Sequence, residues 1–140
     1  MDYKFKLEET EYLEGSFKRK EEIEIENNEI STSIGGQLEI GSLNDRETDS
    51  ISKLALKIKL EIIVEIPKTK DKIAEMNTGH ILIYDLDDKK LMEDIKNNPD
   101  DNKEIIRNMI NTGYLSIKEY IESSFSRAKI PVKLPFILME

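Results

Sequence analysis

The sequence predicts an α+β fold, in which an antiparallel β-sheet of four or more strands carries C-terminal helices packed on one face. Residues 51–67 alternate between apolar and mostly charged residues, which is typical of a long strand with one buried face. After Leu86 the apolar residues recur at the three- and four-residue intervals of helices. We expect a single domain over residues 1–140, with strands at about 3–86, helices at about 88–128 and an extended apolar tail at 130–140.

The stretch from Ile51 to Pro67 is the strand around which we expect the sheet to form. Successive side chains of a strand point to opposite faces, so its even positions make one apolar face. Pro67 ends the strand because proline lacks a backbone donor. Burial of the even face contributes roughly 10–20 kcal/mol before conformational entropy is subtracted. The residues of that face are Leu54, Leu56, Ile58, Leu60, Ile62, Val64 and Ile66.

Other stretches also have strand patterns. Gly15-Ser16 permits a turn or bulge between the predicted strands at residues 3–13 and 17–26. Gly35-Gly36 predicts a bulge or bend within the predicted strand at residues 30–40. The charge density of residues 17–26 favours a position at the edge of the sheet, and Asn27-Asn28 can form a tight turn after this strand. We expect a loop from Ser42 to Ser50. The predicted strands are residues 3–13, 17–26, 30–40 and 74–86.

The helical part predicts three helices. Asp87 or Asp88 caps a short first helix that stops before Pro99, and Asn102 caps a second that ends near Gly113. The third begins at the capping box Ser116 to Glu119, and we expect it to cover the even face of the central strand. Its apolar stripe comprises Ile117, Tyr120, Ile121, Ser124, Phe125 and Ala128.

The composition excludes several classes of partner and site. The formal net charge is −8, and the basic residues are concentrated only at Lys18-Arg19-Lys20, so we expect no nucleic-acid partner. There is no cysteine, which excludes disulfides, thiolate nucleophiles and cysteine metal sites. The N-terminus lacks the apolar core of a signal peptide, and no charge-free stretch reaches membrane-spanning length. We therefore expect a cytoplasmic protein that does not insert into a membrane.

No group of residues has the arrangement of a catalytic, metal or cofactor site. His80 is the only histidine and lies within a strand pattern, so we interpret it as structural or solvent-facing. The acidic cluster at 85–88 and Asp100-Asp101 lack calcium-loop spacing, and helix capping or a solvated loop explains both. Gly35-Gly36 is not followed by the Lys-Ser/Thr of a phosphate loop. We therefore predict no enzyme activity and no cofactor.

The C-terminal fifth is rich in apolar and aromatic residues. Its last part, residues 130–139, contains Pro131 and Pro135, which block regular strand pairing. Two interpretations remain open. The tail either packs across the sheet as a final extended segment, or offers apolar surface to a partner or another subunit.

The predicted strands are followed by Lys118-Glu119-Tyr120-Ile121, then Arg127 to Pro131, then Leu134-Pro135. This order of elements and this motif resemble the SecB family of export chaperones. That family has a four-stranded antiparallel sheet, then a helix and a segment of the form R-E-x-I-x-x-x-x-x-R-G-x-x-P, leading to a Leu-x-Pro tail. Ala128 replaces the glycine, the interval between the prolines is shorter, and the chain stops near Phe136 without the family's second long helix.

The resemblance implies an ATP-independent chaperone that holds unfolded or export-bound client proteins in apolar grooves, as a dimer or tetramer. The alternative is a non-catalytic interaction or regulatory protein on the same scaffold, encoded by a mobile element, that binds one specific folded partner. By position, six residues are the candidates for peptide or subunit contact: Tyr120, Phe125, Ile130, Pro131, Leu134 and Phe136.

Overall fold

The computed structural model describes residues 5–20, 29–48 and 50–135, which form a four-stranded antiparallel sheet followed by helices. The strands are arranged in the order β1-β4-β3-β2, so β1 and β2 lie at the two edges. The predicted α+β class is confirmed. The elements are β1 Phe5–Arg19, β2 Ser31–Asn44, β3 Ile51–Ile66, β4 Asp71–Leu86, α1 Lys89–Asn97, a 3-10 turn Pro99–Asn102 and α2 Lys103–Arg127.

The central strand has the predicted orientation. All seven even side chains of β3, from Leu54 to Ile66, are between 0% and 6% exposed and belong to the core. Its odd side chains beyond Ile51 are half-buried or exposed. The apolar face of β3 is therefore the floor of the core, and β4 extends this floor with Met76, Leu82 and Tyr84.

The first predicted strand and residues 17–19 of the second form one strand, β1. β1 continues through Gly15-Ser16 and pairs with β4 along its whole length, so the predicted turn is wrong. The pairing of β1 with β4 instead has two register irregularities, one between Leu7 and Glu9 and one between Tyr12 and Glu14. β1 lies at an edge of the described sheet, and the edge position predicted for residues 17–26 remains a prediction, because residues 21–26 lie outside the described residues. The predicted turn at Asn27-Asn28 lies outside the described residues.

β2 is regular where a bulge is predicted. Its register with β3 continues unbroken past Gly35-Gly36, and the one irregularity lies between Leu43 and Asn44. The bulge is unnecessary because a glycine at an edge strand can keep strand geometry while leaving space beside it. A Cβ at Gly35 would meet no atom within 4 Å. The strand also extends to Asn44, into the predicted loop.

The second and third predicted helices are a single helix, α2. Gly113 lies in its interior, where a Cβ would approach Leu82 Cδ1 at 2.5 Å and Tyr84 Oη at 2.7 Å. The glycine therefore allows α2 to pack closely against β4 and does not end the helix. Ser116 and Glu119 are both on the outer surface of α2, well inside its bounds, so the predicted helix start there is wrong.

The first helix agrees with its predicted cap. The carboxylate of Asp88 accepts hydrogen bonds from the backbone amides of Lys90 at 3.0 Å and Leu91 at 3.2 Å. Met92 and Ile95 are the buried side chains of α1, and they close the core beyond the end of β4.

Candidate functional site

Helix α2 lies over the β4–β1 half of the sheet. Ile117, Ile121 and Phe125 point into the core with 0–1% exposure. The ring centroids of Phe125 and Phe17 are 5.1 Å apart, which fixes this end of the helix against β1. Near the middle of the helix, the hydroxyl of Tyr84 donates a hydrogen bond to the carbonyl of Met109. The β3–β2 half of the sheet is covered mainly by other parts of the chain, including α1.

The chain reverses at the end of α2 through a Schellman turn. Lys129 adopts the left-handed conformation, with φ of 61°, and its amide donates to the Ser126 carbonyl at 2.9 Å. The amide of Ile130 donates to the Phe125 carbonyl, also at 2.9 Å, and both side chains are buried. The turn directs the tail back along the helix.

The tail is bound to α2 by one carboxylate. Glu122 accepts a hydrogen bond from the Leu134 amide at 2.7 Å and forms an ion pair with the Lys118 ammonium group at 2.8 Å. Burial raises the pKa of Glu122, but the bonds from Lys118 and Leu134 outweigh burial and hold this pKa below its ordinary value. Ile130, Val132 and Leu134 are buried, whereas the residues between them are exposed. The described part of the tail, residues 131–135, therefore packs as an extended segment against α2 and the core. Both interpretations of the whole tail remain predictions, because residues 136–139 lie outside the described residues.

An apolar groove of about 420 Å³ lies between β2 and the end of this tail. β2, β3 and α2 each contribute apolar side chains to it, and Leu38 on its wall is 38% exposed. Among the described strands β2 pairs with β3 alone, so its outer edge keeps unpaired backbone groups beside the groove. The lining residues are Ile34, Gly36, Gln37, Leu38, Ile58, Leu60, Ile110 and Pro135.

A second apolar surface lies at the opposite edge of the sheet. Tyr12 is 50% exposed, Tyr120 is 41% exposed, and their ring centroids are 5.2 Å apart. Phe17, two inward-facing positions further along β1, is 37% exposed. We call Tyr12, Phe17 and Tyr120 the aromatic edge. Its three rings form a partly exposed apolar border along the junction of β1 and α2.

His80 supports this edge from below. It is 3% exposed, its ring packs against both Tyr12 and Tyr120, and its Nε2 lies 2.9 Å from Thr78 Oγ1. Burial lowers the pKa of His80. His80 thus has a hydrogen-bond partner within a packed environment, which agrees with the structural interpretation.

Five of the six predicted contact residues are described, and they differ in exposure. Phe125, Ile130 and Leu134 are core residues, whereas Tyr120 and Pro131 are exposed. Their predicted role in binding remains a prediction. Phe136 lies outside the described residues.

The wall of the groove was not predicted from the sequence. Ile34, Leu38 and Ile40 lie at even positions of β2, and this shared phase was the signal that could have placed Ile34 and Leu38 on one face.

No group of three or more His, Asp or Glu side chains among the described residues is placed to hold a metal ion. In the same part of the chain, no helix has the length and apolarity needed to cross a membrane. A wide trough of about 550 Å³ on the outer face of the sheet is lined mainly by polar residues and glycines.

Comparison with known proteins identifies the fold. No protein-family model matches the chain, and no curated protein matches it either. Among solved structures, the chain is similar to the SecB-like chaperone Rv1957 of Mycobacterium tuberculosis, solved in complex with a ChAD peptide from the Rv1956 HigA1 antitoxin. The TM-score is 0.69 at 12% identity, and the alignment covers 97% of this chain and 91% of that one. The chain therefore has a SecB-like fold.

Proposed function

We propose that this chain is an ATP-independent chaperone that holds an apolar segment of an unfolded or export-bound client polypeptide in the groove beside β2. The observation that carries the proposal is the groove itself, an open apolar surface bordered by an edge strand. Ligand pockets typically measure about 300–1,000 Å³ and are lined mainly by apolar groups, and this groove has both properties.

The unpaired edge of β2 supports recognition of extended segments. A segment that lies along a sheet edge forms main-chain hydrogen bonds whatever its sequence, and pockets select its alternate side chains. Leu38 and Ile34 lie on the same face of β2 as the groove, so they would receive those side chains. The similar fold of a chaperone solved with a bound peptide supports a role in binding protein partners.

The test compares two leucines of the same strand. Leu38 lines the groove and is 38% exposed, whereas Leu43 is 45% exposed near the end of β2 and does not line it. We expect Leu38→Lys to weaken binding of an unfolded client at least tenfold, because burying an unpaired ammonium opposes apolar contact. The measurements are binding to reduced α-lactalbumin and suppression of citrate synthase aggregation without nucleotide.

Leu43→Lys is the matched control and should bind as the wild type does. Equal affinities for the two variants, with both folded by circular dichroism, would locate client binding elsewhere. Absence of any aggregation suppression by the wild-type protein would reject the chaperone role itself.

A second candidate is a non-catalytic interaction or regulatory protein, encoded by a mobile element, that binds one specific folded partner. The neighbour of similar fold was solved with a peptide from a particular antitoxin, which favours a dedicated partner over many clients. A pull-down with one stoichiometric partner, combined with no effect on citrate synthase aggregation, would favour this candidate.

We also propose a homo-oligomer, a dimer or a tetramer, with the aromatic edge as part of a subunit contact. Partly exposed aromatic rings next to each other are typical of interaction surfaces. Light scattering coupled to size exclusion would measure the mass, and Tyr120→Glu should lower it. We place the protein in the cytoplasm, a proposal that its lack of cysteine supports.

A further inference from the structure

We propose that His80 is a pH switch of the aromatic edge, in which a proton on its ring releases Tyr12 and Tyr120 from their packed positions. This inference rests on the proposed function, because it gives the proposed subunit contact a means of control. His80 is the only histidine of the chain, and its ring packs against both tyrosines of the edge.

The three rings form one cluster. The ring centroid of His80 lies 5.7 Å from that of Tyr12 and 5.9 Å from that of Tyr120. The two tyrosine centroids are 5.2 Å apart, so each ring packs against the other two. β1 contributes one tyrosine and α2 the other, and the cluster therefore links the edge strand to the helix. Displacement of the histidine disturbs both of its neighbours.

Few polar groups face the imidazole of His80. On β4 itself, the Thr78 hydroxyl oxygen lies 2.9 Å from Nε2. The neighbouring strand β3 contributes Ile58, which pairs with His80 in register and is 3% exposed. From β1 and α2, the titratable groups that face the ring are the phenols of Tyr12 and Tyr120.

The charged side chains on the elements around His80 face other directions. Strand side chains alternate between faces, and those of β1 and β3 lie on the outer face of the sheet, where Glu14 and Lys59 approach to 3.8 Å. On α2, Lys118 and Glu122 pair with each other beside the tail, and Glu119 is exposed. Within the described part of the chain, no carboxylate therefore faces the imidazole. The groups concerned are Glu11, Glu14, Lys57, Lys59, Lys118, Glu119 and Glu122.

A proton on His80 would place a positive charge in an apolar environment without an opposite charge. The side chain is 3% exposed, and burial lowers the pKa of His80 below its ordinary value of 6.5. A buried charge without a partner is unfavourable, so the protonated ring favours arrangements that admit water. Water reaches it most readily past Tyr12 and Tyr120, which are 50% and 41% exposed, whereas Ile58 belongs to the core. The two tyrosines are therefore the side chains that move.

The switch acts in a pH interval in which other side chains keep their charge. Above pH 6.5 His80 is neutral in both the packed and the released arrangement, and the edge is intact. Below this value the released arrangement binds a proton first, so the packed one loses stability until the pH passes its lower pKa. A difference of one unit between the two pKa values shifts the equilibrium about tenfold. Histidine is the only side chain with an ordinary pKa in this range, so a transition there identifies His80.

An NMR titration of the wild-type protein tests the switch at the level of the rings. The imidazole signals come from one residue, so their midpoint gives the pKa of His80 directly. We expect a midpoint below 6.5 and, over the same interval, loss of the nuclear Overhauser contacts from His80 to Tyr12 and Tyr120. Circular dichroism should show an unchanged fold.

Two results of this titration would overturn the proposal. A midpoint at or above 6.5 would show that attraction between the imidazolium and the phenol rings outweighs burial. Nuclear Overhauser contacts that persist after His80 has taken up its proton would show that the tyrosines do not respond.

Light scattering coupled to size exclusion tests the link to assembly. The mass of the wild type should fall as the pH is lowered from about 7.5 to about 5, and that of His80→Phe should stay constant, because phenylalanine keeps a ring but takes up no proton. His80→Gln is the second variant, which keeps a polar group beside the Thr78 hydroxyl. An equal fall in mass for the wild type and both folded variants would overturn the proposal.

The same measurements separate this proposal from the proposed subunit contact. A wild-type protein that is monomeric at every pH, but whose tyrosines are released as His80 titrates, would reject the contact and support the switch. An oligomer that Tyr120→Glu dissociates, but that keeps its mass through the titration of His80, would support the contact and reject the switch. Neither result depends on a client, because the aromatic edge and the groove lie at opposite edges of the sheet.

Discussion

The interior glycine of α2 provides a sharp test of how the helix meets the sheet. In an exposed helix, replacing glycine by alanine stabilises by about 1 kcal/mol, because alanine has the higher helix propensity. At Gly113 the added Cβ would lie 2.5 Å from Leu82 Cδ1 and 2.7 Å from Tyr84 Oη, which is closer than van der Waals contact permits. We therefore expect Gly113→Ala to destabilise the protein.

The magnitude follows from the groups that must move. Overpacking a core by one methyl group typically costs about 1–3 kcal/mol. Displacement of the Tyr84 hydroxyl from the Met109 carbonyl would cost about 1–3 kcal/mol more, since both groups are buried. After the propensity gain is subtracted, a net loss of about 1–5 kcal/mol remains, or a melting temperature lower by roughly 4–20 °C.

Thermal and urea unfolding of Gly113→Ala would measure this loss. Thr112→Ala is the matched control, because Thr112 is exposed on the same turn and its replacement should leave the stability unchanged or slightly higher. Leu82→Ala combined with Gly113→Ala should lose less stability than the sum of the single changes, because the cavity accepts the new methyl group. A Gly113→Ala protein that melts above the wild type would refute the close packing of α2 on β4.

Two further predictions concern buried polar groups. Tyr84→Phe should lower the free energy of unfolding by about 0.5–1.5 kcal/mol, because it removes the hydrogen bond that the Tyr84 hydroxyl donates to the Met109 carbonyl. Tyr114→Phe should be neutral or stabilising, since among the described residues the buried Tyr114 hydroxyl has no hydrogen-bond partner. Equal losses for the two variants in urea unfolding would contradict this. Because the pKa of Glu122 is lowered in the folded protein, its carboxylate contributes stability above the ordinary pKa near 4.5. This stability is lost as the pH falls through the lower pKa of the folded state. The protection of the Leu134 amide, which compares its hydrogen-exchange rate with the intrinsic rate at the same pH, should therefore fall in this acid range. Glu122→Gln should remove the pH dependence of this protection, and an unchanged profile in that variant would contradict the role of the carboxylate.

Much of the sheet could be predicted because strand orientation is a local property. The alternation from Leu54 to Ile66 is enough to identify the buried face of β3, since a strand has no other way to bury those side chains together. The order of the strands could not be read in this way. It depends on pairings between distant segments, and β1 pairs with β4, the strand furthest from it in sequence.

The helices show why short motifs can mislead. Ser116 and Glu119 have the spacing of a capping box, and Gly113 has the chemistry of a helix end, yet both lie inside α2. The apolar stripe continues through them, from Ile110 to Ile117 at helical spacing, and its burial outweighs the local signals. Glycine has two uses in helices, and only the packing against β4 distinguishes close approach from termination.

The candidate site was predictable only in part. The predicted contact residues Phe125 and Leu134 are in the core, and the alternating burial of Ile130, Val132 and Leu134 was not among the sequence predictions. The groove depends on the space left between β2 and Pro135, which is a property of the assembled layers. Leu38 belongs to a recognisable strand pattern, but that pattern does not show that the Leu38 side chain stays partly exposed.

The left-handed residue at the end of α2 determines the orientation of everything that follows. Lys129 fixes where the tail starts, and the two-residue period of the tail then decides which side chains face inward. Insertion of one residue after Ile130 would exchange the two sets, and Lys133 would point into the space that Leu134 now fills. A substitution in this segment changes one side chain, whereas a change of length by one residue would exchange the buried and exposed side chains along the whole segment.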